Sequence, residues 1–489
     1  MIAFVYYFSA LGAILAGSMI LPAIIAFGSQ ETDLGYRILL YSGSAGFLCI
    51  TTFLAVMGRL NGIRRNTAIL LAVFSWVALP MIFAIPISDM AGISYMDAFF
   101  QATSSFTTTG SVALQNINTV PSSILFMLAQ FQWFGGLATL ITLILVLAPW
   151  EIGGLPQVGT ASVAASIVAS HSRLVSFCAG IFRTYLVLTL LCFVLLVLAN
   201  VNPFSAMIFA FTALSTGGLT PAIESIDIAL GNAGMVIMAL FLIIGATSIF
   251  WHQYIYKLQT EELKRHRESY FVLVTWISLS CYIAYTLFAA AGGRNILPDL
   301  SSISEGAFNA ASIISTSGLQ SRPGALSLLP PTLVLILIFI GGGCYSTSGG
   351  IKYFRIGGMY SLAQYELNRL IYPHTTKPSL FGSTKLNIEF MKAIWSLFAI
   401  LIVTVAISSF ALSLSGLNFQ VSFTAIIAAI TNAGPLYAPE WGTGNAGSWP
   451  SYFEMTNAQK FILSVVMLLG RLEVIAVIAS VSVLIKGGR

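Results

Sequence analysis

The chain has 489 residues, of which 57% are hydrophobic and 8% charged, with a formal net charge of +5 and a mean hydropathy of +0.89. Soluble domains carry about 25% charged residues, so this balance excludes an ordinary soluble domain and indicates a polytopic membrane protein. The five cysteines (Cys49, Cys178, Cys192, Cys281, Cys344) are scattered and odd in number, and suggest neither a disulfide framework nor a paired metal site.

A crossing needs about 20 apolar residues to traverse roughly 30 Å of hydrocarbon. The first apolar run, near 2–27, lacks a basic flank and is too long for a cleaved signal, so it reads as a retained helix. A second follows near 36–58. Next come a long run near 67–87, a shorter piece near 95–107 and a long run near 121–148. This order returns as 176–200, 203–215 and 231–256, then as 269–292, 303–315 and an interrupted run at 330–372, and last as 387–415, 419–431 and 458–485. The pattern predicts an all-α polytopic fold with ten membrane-crossing helices. Two leading helices occupy 1–60, and four repeats of span, half-helix and span occupy 61–150, 151–260, 261–385 and 386–489. Each half-helix is 13 residues, too short to cross. Such segments are tolerated only where protein or a water-filled cavity satisfies their backbone. Repeats of one orientation can surround an axis along the membrane normal.

Each half-helix ends in a small-polar segment closed by glycine: FTTTGSV at 106–112, ALSTGGL at 213–219, IISTSGL at 313–319 and AITNAGP at 429–435. With Gly110, Gly218, Gly318 and Gly434 in register, the copies recur at intervals of 108, 100 and 116 residues. Glycine permits backbone angles that turn carbonyls towards an axis, and carbonyls around an axis can replace the water shell of a cation. Helix C-termini carry partial negative charge, so half-helices aimed at one point favour a cation without a fixed carboxylate. The expected lining is Thr107, Thr108, Thr109 and Gly110; Ser215, Thr216, Gly217 and Gly218; Ser315, Thr316, Ser317 and Gly318; and Thr431, Asn432, Ala433 and Gly434. Main-chain oxygens are the expected ligands, with the hydroxyls supporting the loops. A single such segment reads equally well as a helix-packing surface; four copies in register favour the ion path.

The interrupted run contains GGGCYSTSGGIK at 341–352, five glycines and three Ser/Thr in twelve residues. Each Gly costs about 1 kcal/mol in a helix relative to Ala, so an unwound segment is expected there. A phosphate-binding loop is rejected, because Lys352 follows Gly350-Ile351 and no soluble strand–helix unit surrounds it. A helix kink is the plainer reading. Confinement of the stretch to one repeat favours a gate in the ion path, formed by Gly341, Gly342, Gly343, Ser346, Thr347, Ser348, Gly349, Gly350 and Lys352. Arg471, midway along the last run, joins it: a central Arg costs roughly 2.5–3.5 kcal/mol on insertion scales. Glu473 lies on another side of that helix and is a poor partner. Ser or carbonyl oxygens of 341–350 are the expected contacts, for structure or to tune a cation barrier. His171, His252, His266 and His374 are isolated, and no catalytic or metal cluster is expected.

Basic residues orient the chain. With the N-terminus inside, inner loops hold Arg59, Arg64, Arg65, Arg173, Arg183, Lys257, Lys264, Arg265, Arg267, Arg369, Lys377 and Lys385. Outer loops hold Arg37, Arg294 and Arg322, with Lys460 near a boundary. Both termini are therefore expected in the cytoplasm and the four motifs outside; the net +5 reflects this bias and not nucleic-acid binding. The outer loops are acidic, with Glu31, Asp33, Asp89, Asp97, Glu224, Asp227, Asp299, Glu305, Glu440 and Glu454. These read either as a cation-attracting mouth or as ordinary solvated charge.

The four motifs, the GGGCYSTSGGIK break and the arginine in GRLEV resemble the Trk/Ktr/HKT superfamily of K⁺ transporters, and the two leading helices point to its bacterial TrkH/TrkG branch. The resemblance runs the length of the chain. It implies four M1–pore-helix–M2 units, a homodimer with one pore per subunit and a filter in which glycine at all four positions favours K⁺. It also implies that 341–352 is the intramembrane gating loop, with Arg471 beneath the filter. Gly217 precedes Gly218, so the second loop can align in two registers. The implied function is K⁺ uptake across the bacterial inner membrane, driven by membrane potential with or without H⁺ or Na⁺ symport. A cytosolic nucleotide-binding subunit (TrkA-like) would dock on the basic inner loops. K⁺ is then the transported ion, and no organic cofactor is expected in this chain. A secondary transporter of an organic solute, framed by broken helices, is the alternative; a membrane enzyme lacks a nucleophile–base pair.

Overall fold

Long apolar runs with few breakers become long helices, because in hydrocarbon every backbone polar group must find its partner within the segment. The computed structural model describes residues 2–58, 65–115, 119–150, 154–156, 171–221, 225–290, 299–371, 380–381, 384–385, 388–437, 449–478 and 480. The leading helices are α1 (Ile2–Gly28) and α2 (Thr32–Val56). Then follow α3 (Arg65–Ala91), short α4 (Tyr95–Phe106) and α5 (Ser122–Thr142). The second group is α6 (His171–Leu198), short α7 (Pro203–Ser215) and α8 (Ile226–Ala246), with α9 (Ile249–Tyr256) and α10 (Thr260–Arg265) after it. The third is α11 (Arg267–Ala290), short α12 (Leu300–Ser315), α13 (Pro331–Ile340) and α14 (Tyr353–Ile371). A small antiparallel pair, β1 (Leu380–Phe381) and β2 (Thr384–Lys385), precedes α15 (Ile388–Leu414), short α16 (Phe419–Ile430) and α17 (Asn457–Leu472).

The protein is an all-helical polytopic membrane protein apart from that pair. Among the described residues, eight helices are long and apolar enough to cross a bilayer. The two expected crossings that fall short are broken ones. The eighth is α13 and α14 with 341–352 between them, and the tenth is α17, which stops at Leu472 before helix resumes at 474.

The helices close into a ring. Each short helix packs on both long partners of its own group: α4 on α3 and α5, α7 on α6 and α8, α12 on α11 and α13, α16 on α15 and α17. The later partner also packs on the next short helix: α5 on α7, α8 on α12, α13 on α16, and α17 back on α4. A polar residue stands at each short helix's N-cap. Ser94, Asn202 and Asp299 accept the amides of Asp97, Phe204 and Ser302 at 3.2, 3.0 and 3.2 Å, while Asn418 makes no side-chain cap. Bonds from Ser302 and Ser301 hold the Asp299 carboxyl below its usual range.

Irregularity is not confined to one group. The helix of α5 continues as a π-turn at Leu143–Leu147, α8 breaks at Thr247–Ser248 before α9, α13 leads into 341–352, and Glu473 (φ +59) ends α17. Among the described residues, 341–352 is the longest of these breaks, so the contrast with the other described breaks is one of length.

Candidate functional site

The four motifs share one backbone geometry. Two residues before each motif glycine, Thr108, Thr216, Thr316 and Asn432 adopt left-handed angles, with φ of +58, +50, +61 and +55. L-residues pay about 1–2 kcal/mol for that region, and such strain persists only where the surroundings over-determine it. The next amide, of Thr109, Gly217, Ser317 and Ala433, donates to the carbonyl five residues back, on Ser104, Thr212, Ser312 and Ala428, at 2.8, 3.0, 3.1 and 2.8 Å. The second loop therefore aligns with Gly218 at the glycine position.

Side chains hold the turns. The residue preceding each left-handed one returns its hydroxyl to its own short helix. Thr107, Ser215 and Thr431 bond the carbonyls of Thr103, Phe211 and Ile427 at 2.7 Å each, and Ser315 bonds that of Ser312 at 3.3 Å. Ser104, Thr212 and Ser312 donate across each loop to the carbonyls of Ser111, Leu219 and Leu319 at 2.8, 2.6 and 2.6 Å. Ala428 has no hydroxyl to make that clamp; there Tyr452 Oη donates to Gly434 O at 3.1 Å. Gln101 and Asn309 add side-chain oxygens that accept the amides of Ala113 and Ser321, both at 3.0 Å. The motif hydroxyls were expected to support the loops; Ser104, Thr212, Ser312, Tyr452, Gln101 and Asn309 were not among the expected residues.

The glycines converge until no side chain fits. A Cβ on Gly110 would stand 2.3 Å from Gly218 Cα, and one on Gly218 would stand 2.3 Å from Pro435 Cδ. One on Gly318 would stand 2.7 Å from Leu436 N, and one on Gly434 would stand 2.5 Å from Ser111 N. Among the described residues, no hydrogen bond reaches the carbonyls of Thr216, Gly217, Gly218, Thr316, Ser317 or Gly318. Thr109 differs from the expected pattern of carbonyl ligands, since its oxygen accepts Gly434 N at 2.8 Å. Asn432 Nδ2 adds a second tie, to Thr109 Oγ1 at 3.0 Å, and binds Met467 O of α17 at 3.1 Å.

Glycines also let the long helices press on the C-terminal ends of the short ones. A Cβ on Gly135 would stand 1.9 Å from Phe106 O, one on Gly245 2.8 Å from Ala213 O, and one on Gly470 2.1 Å from Ile430 O. These close approaches come from small residues inside helices, the packing signal common in membranes.

Residues 341–352 lie directly beside this convergence. The segment is non-helical, with positive φ at Gly341, Tyr345, Gly350 and Lys352. Gly343 N and Thr347 N bond Ala246 O and Gly245 O at 2.8 and 3.1 Å, which satisfies carbonyls freed by the break after α8. One carboxylate oxygen of buried Glu268 accepts both Cys344 N and Phe354 N, at 2.8 and 2.9 Å. Lys352 Nζ turns back onto the Ser348 carbonyl and the hydroxyls of Ser348 and Ser346, the last two at 3.3 and 3.4 Å. Gly342 is pinched between Ser348 and Ala246 O.

Arg471 is buried, and its Nε and Nη2 meet no hydrogen-bond partner among the described residues. The expected contacts with oxygens of 341–350 are thus not made. Arg471 instead borders a cavity of about 20 Å³ shared with Ser348, Lys352 and Glu473. Glu473 pairs with Arg355 at 2.6 Å, both buried. His252 Nε2 lies 2.9 Å from Ile244 O and 3.0 Å from Thr247 Oγ1, tying the broken end of α8.

Most of the carboxylates expected on the outer side have local partners. Glu31 accepts the amides of Ser122 and Ser123 at 2.8 and 3.1 Å, capping α5. Arg37 pairs with Asp33 at 2.9 Å and Asp89 at 3.4 Å, Lys460 with Asp97 at 2.5 Å, and Arg322 with Glu305 at 3.3 Å. Glu454 accepts Ser451 N at 2.7 Å, and Asp227 bonds Ser225 Oγ. Glu224, Glu440, Arg59, Arg64, Arg294, Lys377 and His374 lie outside the described residues.

A sequence model of the TrkH family, described as cation transport protein, matches residues 43–488. The chain belongs to the TrkH family. It is a transporter-family protein and not an enzyme. Curated relatives of this TrkH-family chain include the Trk system potassium uptake protein TrkH of Salmonella typhimurium, 26% identical with 94% of each chain covered. The Trk system potassium uptake protein TrkG of Escherichia coli is 25% identical, with 94% of this chain and 93% of that one covered. The fold is similar to the crystal structure of the potassium transporter TrkH from Vibrio parahaemolyticus, with a TM-score of 0.83, 23% identity and 98% of each chain covered.

Proposed function

We propose that this chain is the ion-translocating subunit of a Trk-type potassium uptake system in a bacterial inner membrane. On this reading ten crossings comprise two leading helices and four pseudo-fourfold M1–pore-helix–M2 repeats, with both termini cytoplasmic. The observation that carries it is the four left-handed turns ending in glycines that each abut a neighbouring loop, Gly110 against Gly218, Gly218 against Pro435, Gly318 against Leu436 and Gly434 against Ser111. Four such turns present main-chain oxygens at one point, where they can exchange for the hydration shell of K⁺. The C-termini of α4, α7, α12 and α16 add partial negative charge. The residues proposed to line the filter are 107–110, 215–218, 315–318 and 431–434, and the gate is 341–352 with Arg471.

Uptake follows from charge. Each K⁺ moving inward gains about 2.3 kcal/mol per 100 mV of inside-negative potential. The Arg471 guanidinium, without a hydrogen-bond partner among the described residues, raises the barrier to a cation leaving the filter while the loop is closed. A cytosolic nucleotide-binding partner on the basic inner loops would move the loop, and a homodimer would carry one pore per subunit. The cavity beside Arg471, about 20 Å³, has room for about one water. That favours an ion path over a site for an organic solute. Expression with its regulator in a strain lacking K⁺ uptake should restore growth at low K⁺. Membrane expression without rescue, together with solute flux in proteoliposomes, would overturn the proposal.

A further inference from the structure

The 341–352 segment does more than lie near the glycine convergence; it is bonded to it. Gly349 N donates to Thr316 Oγ1 at 2.7 Å. Thr316 is the left-handed residue of the third loop, two positions before Gly318. On its other side Gly349 abuts the fourth loop, where a Cβ would stand 1.8 Å from Thr431 O. Thr347 Oγ1 lies 2.8 Å from Leu214 O, near the end of α7, and 3.0 Å from Gly245 O of α8, its one proton shared between the two carbonyls. The segment is thus bonded to the third turn, seated against the fourth, and tied to the helix ends that flank the second.

Among the described residues, the Thr316 contact has no counterpart in the other repeats. Thr216 Oγ1 bonds only the adjacent Ser215 O at 2.8 Å. Thr108 Oγ1 is buried without a partner among the described residues, and Asn432 ties to Thr109 and α17. The same backbone position therefore carries a hydroxyl that meets the loop in one repeat alone. A strained β-branched residue joined to a glycine-rich loop gives a mechanical connection: moving Gly349 away releases Thr316, and relaxing Thr316 releases Gly349.

We propose that the Thr316 hydroxyl is a positioning residue that latches the gating loop to the third filter loop, so that gate position and filter conformation are one coupled equilibrium. This rests on the reading of the motifs as filter and 341–352 as gate. Coupling of this kind is reciprocal: ions that stabilise the filter turn stabilise the closed loop by the same factor. Losing one ordinary hydrogen bond should shift the open–closed balance about five-fold.

The test uses the full chain in proteoliposomes without its regulator, with Rb⁺ flux and amide hydrogen exchange of 341–352 as paired readouts. Thr316→Val, which keeps the shape and removes the acceptor, should raise flux about five-fold and speed exchange of the loop. Thr316→Ser should restore both values. Thr216→Val, whose hydroxyl does not meet the loop, should speed loop exchange less than Thr316→Val. If Thr316→Val folds poorly, Thr316→Ala, which relieves the β-branch, gives the same two readouts. Unchanged loop exchange in both variants, or equal acceleration by Thr216→Val, overturns the latch. If the original chain carries no Rb⁺, the transport reading falls on its own, and exchange still decides whether Thr316 holds the loop.

Discussion

Replacing Gly110 by Ser tests the convergence of the loops. Gly110 has φ +75, and its Cβ position lies 2.3, 2.4 and 2.5 Å from the Cα, N and C of Gly218. All three are backbone atoms, so no rotamer change can relieve them. Carbon–carbon contact needs about 3.5 Å, so loops one and two must part by about 1 Å. The left-handed angle adds about 1–2 kcal/mol for a residue with a Cβ. Parting two of four walls weakens the fit to a dehydrated ion, and about 1.4 kcal/mol off the K⁺-over-Na⁺ preference is a tenfold loss. The expected result of Gly110→Ser is a tenfold or greater drop in the K⁺/Na⁺ permeability ratio, measured in proteoliposomes under bi-ionic conditions. Unchanged selectivity in a folded protein would place this position outside the filter and refute the reasoning.

Gly349→Ala should push the loop off Thr431 O, which stands 1.8 Å from the new Cβ, and raise regulator-free flux; deleting residues 342–349 should do the same, and lost or unaltered flux with intact folding would contradict the gate. Glu473→Gln strands the buried Arg355 charge, paired at 2.6 Å, and should cost about 3–5 kcal/mol, read as a lowered melting temperature in detergent. The double replacement Arg355→Met with Glu473→Leu should recover most of that loss. Ser312→Ala removes the 2.6 Å clamp to Leu319 O and should lower stability by about 1 kcal/mol. Ala428 lacks that hydroxyl in the fourth loop, where Tyr452 bonds Gly434 O instead, so Tyr452→Phe should lower stability by about 1 kcal/mol there, read as a lowered melting temperature.

The half-helices were legible in the sequence because composition and glycine act locally. The expected 203–215 coincides with Pro203–Ser215, and 303–315 differs from Leu300–Ser315 only at the Asp299 cap. The register of the motifs was legible too, since the same alignment that pairs the glycines pairs the four left-handed residues. The Ser104, Thr212 and Ser312 clamps carried a signal in that alignment, six positions before each glycine, that went unused. The break at Glu473 carried none. Nothing in MLLGRLEV marks a non-glycine at φ +59, and the residue that pairs with Glu473 there, Arg355, is distant in sequence. Arg471 was legible as costly, but its lack of oxygen contacts depends on where 341–352 folds. The caps and ion pairs made by Glu31, Asp89, Asp97, Glu305 and Glu454 were not legible either, because composition cannot name their partners.

The most direct measurement is anomalous density for Rb⁺ soaked into the full transporter. A peak is expected at the centre of Gly110, Gly218, Gly318 and Gly434, within coordination distance of main-chain oxygens from more than one loop. Rb⁺ density confined to outer carboxylates, with none between the four glycines in a protein that transports K⁺, would contradict the filter.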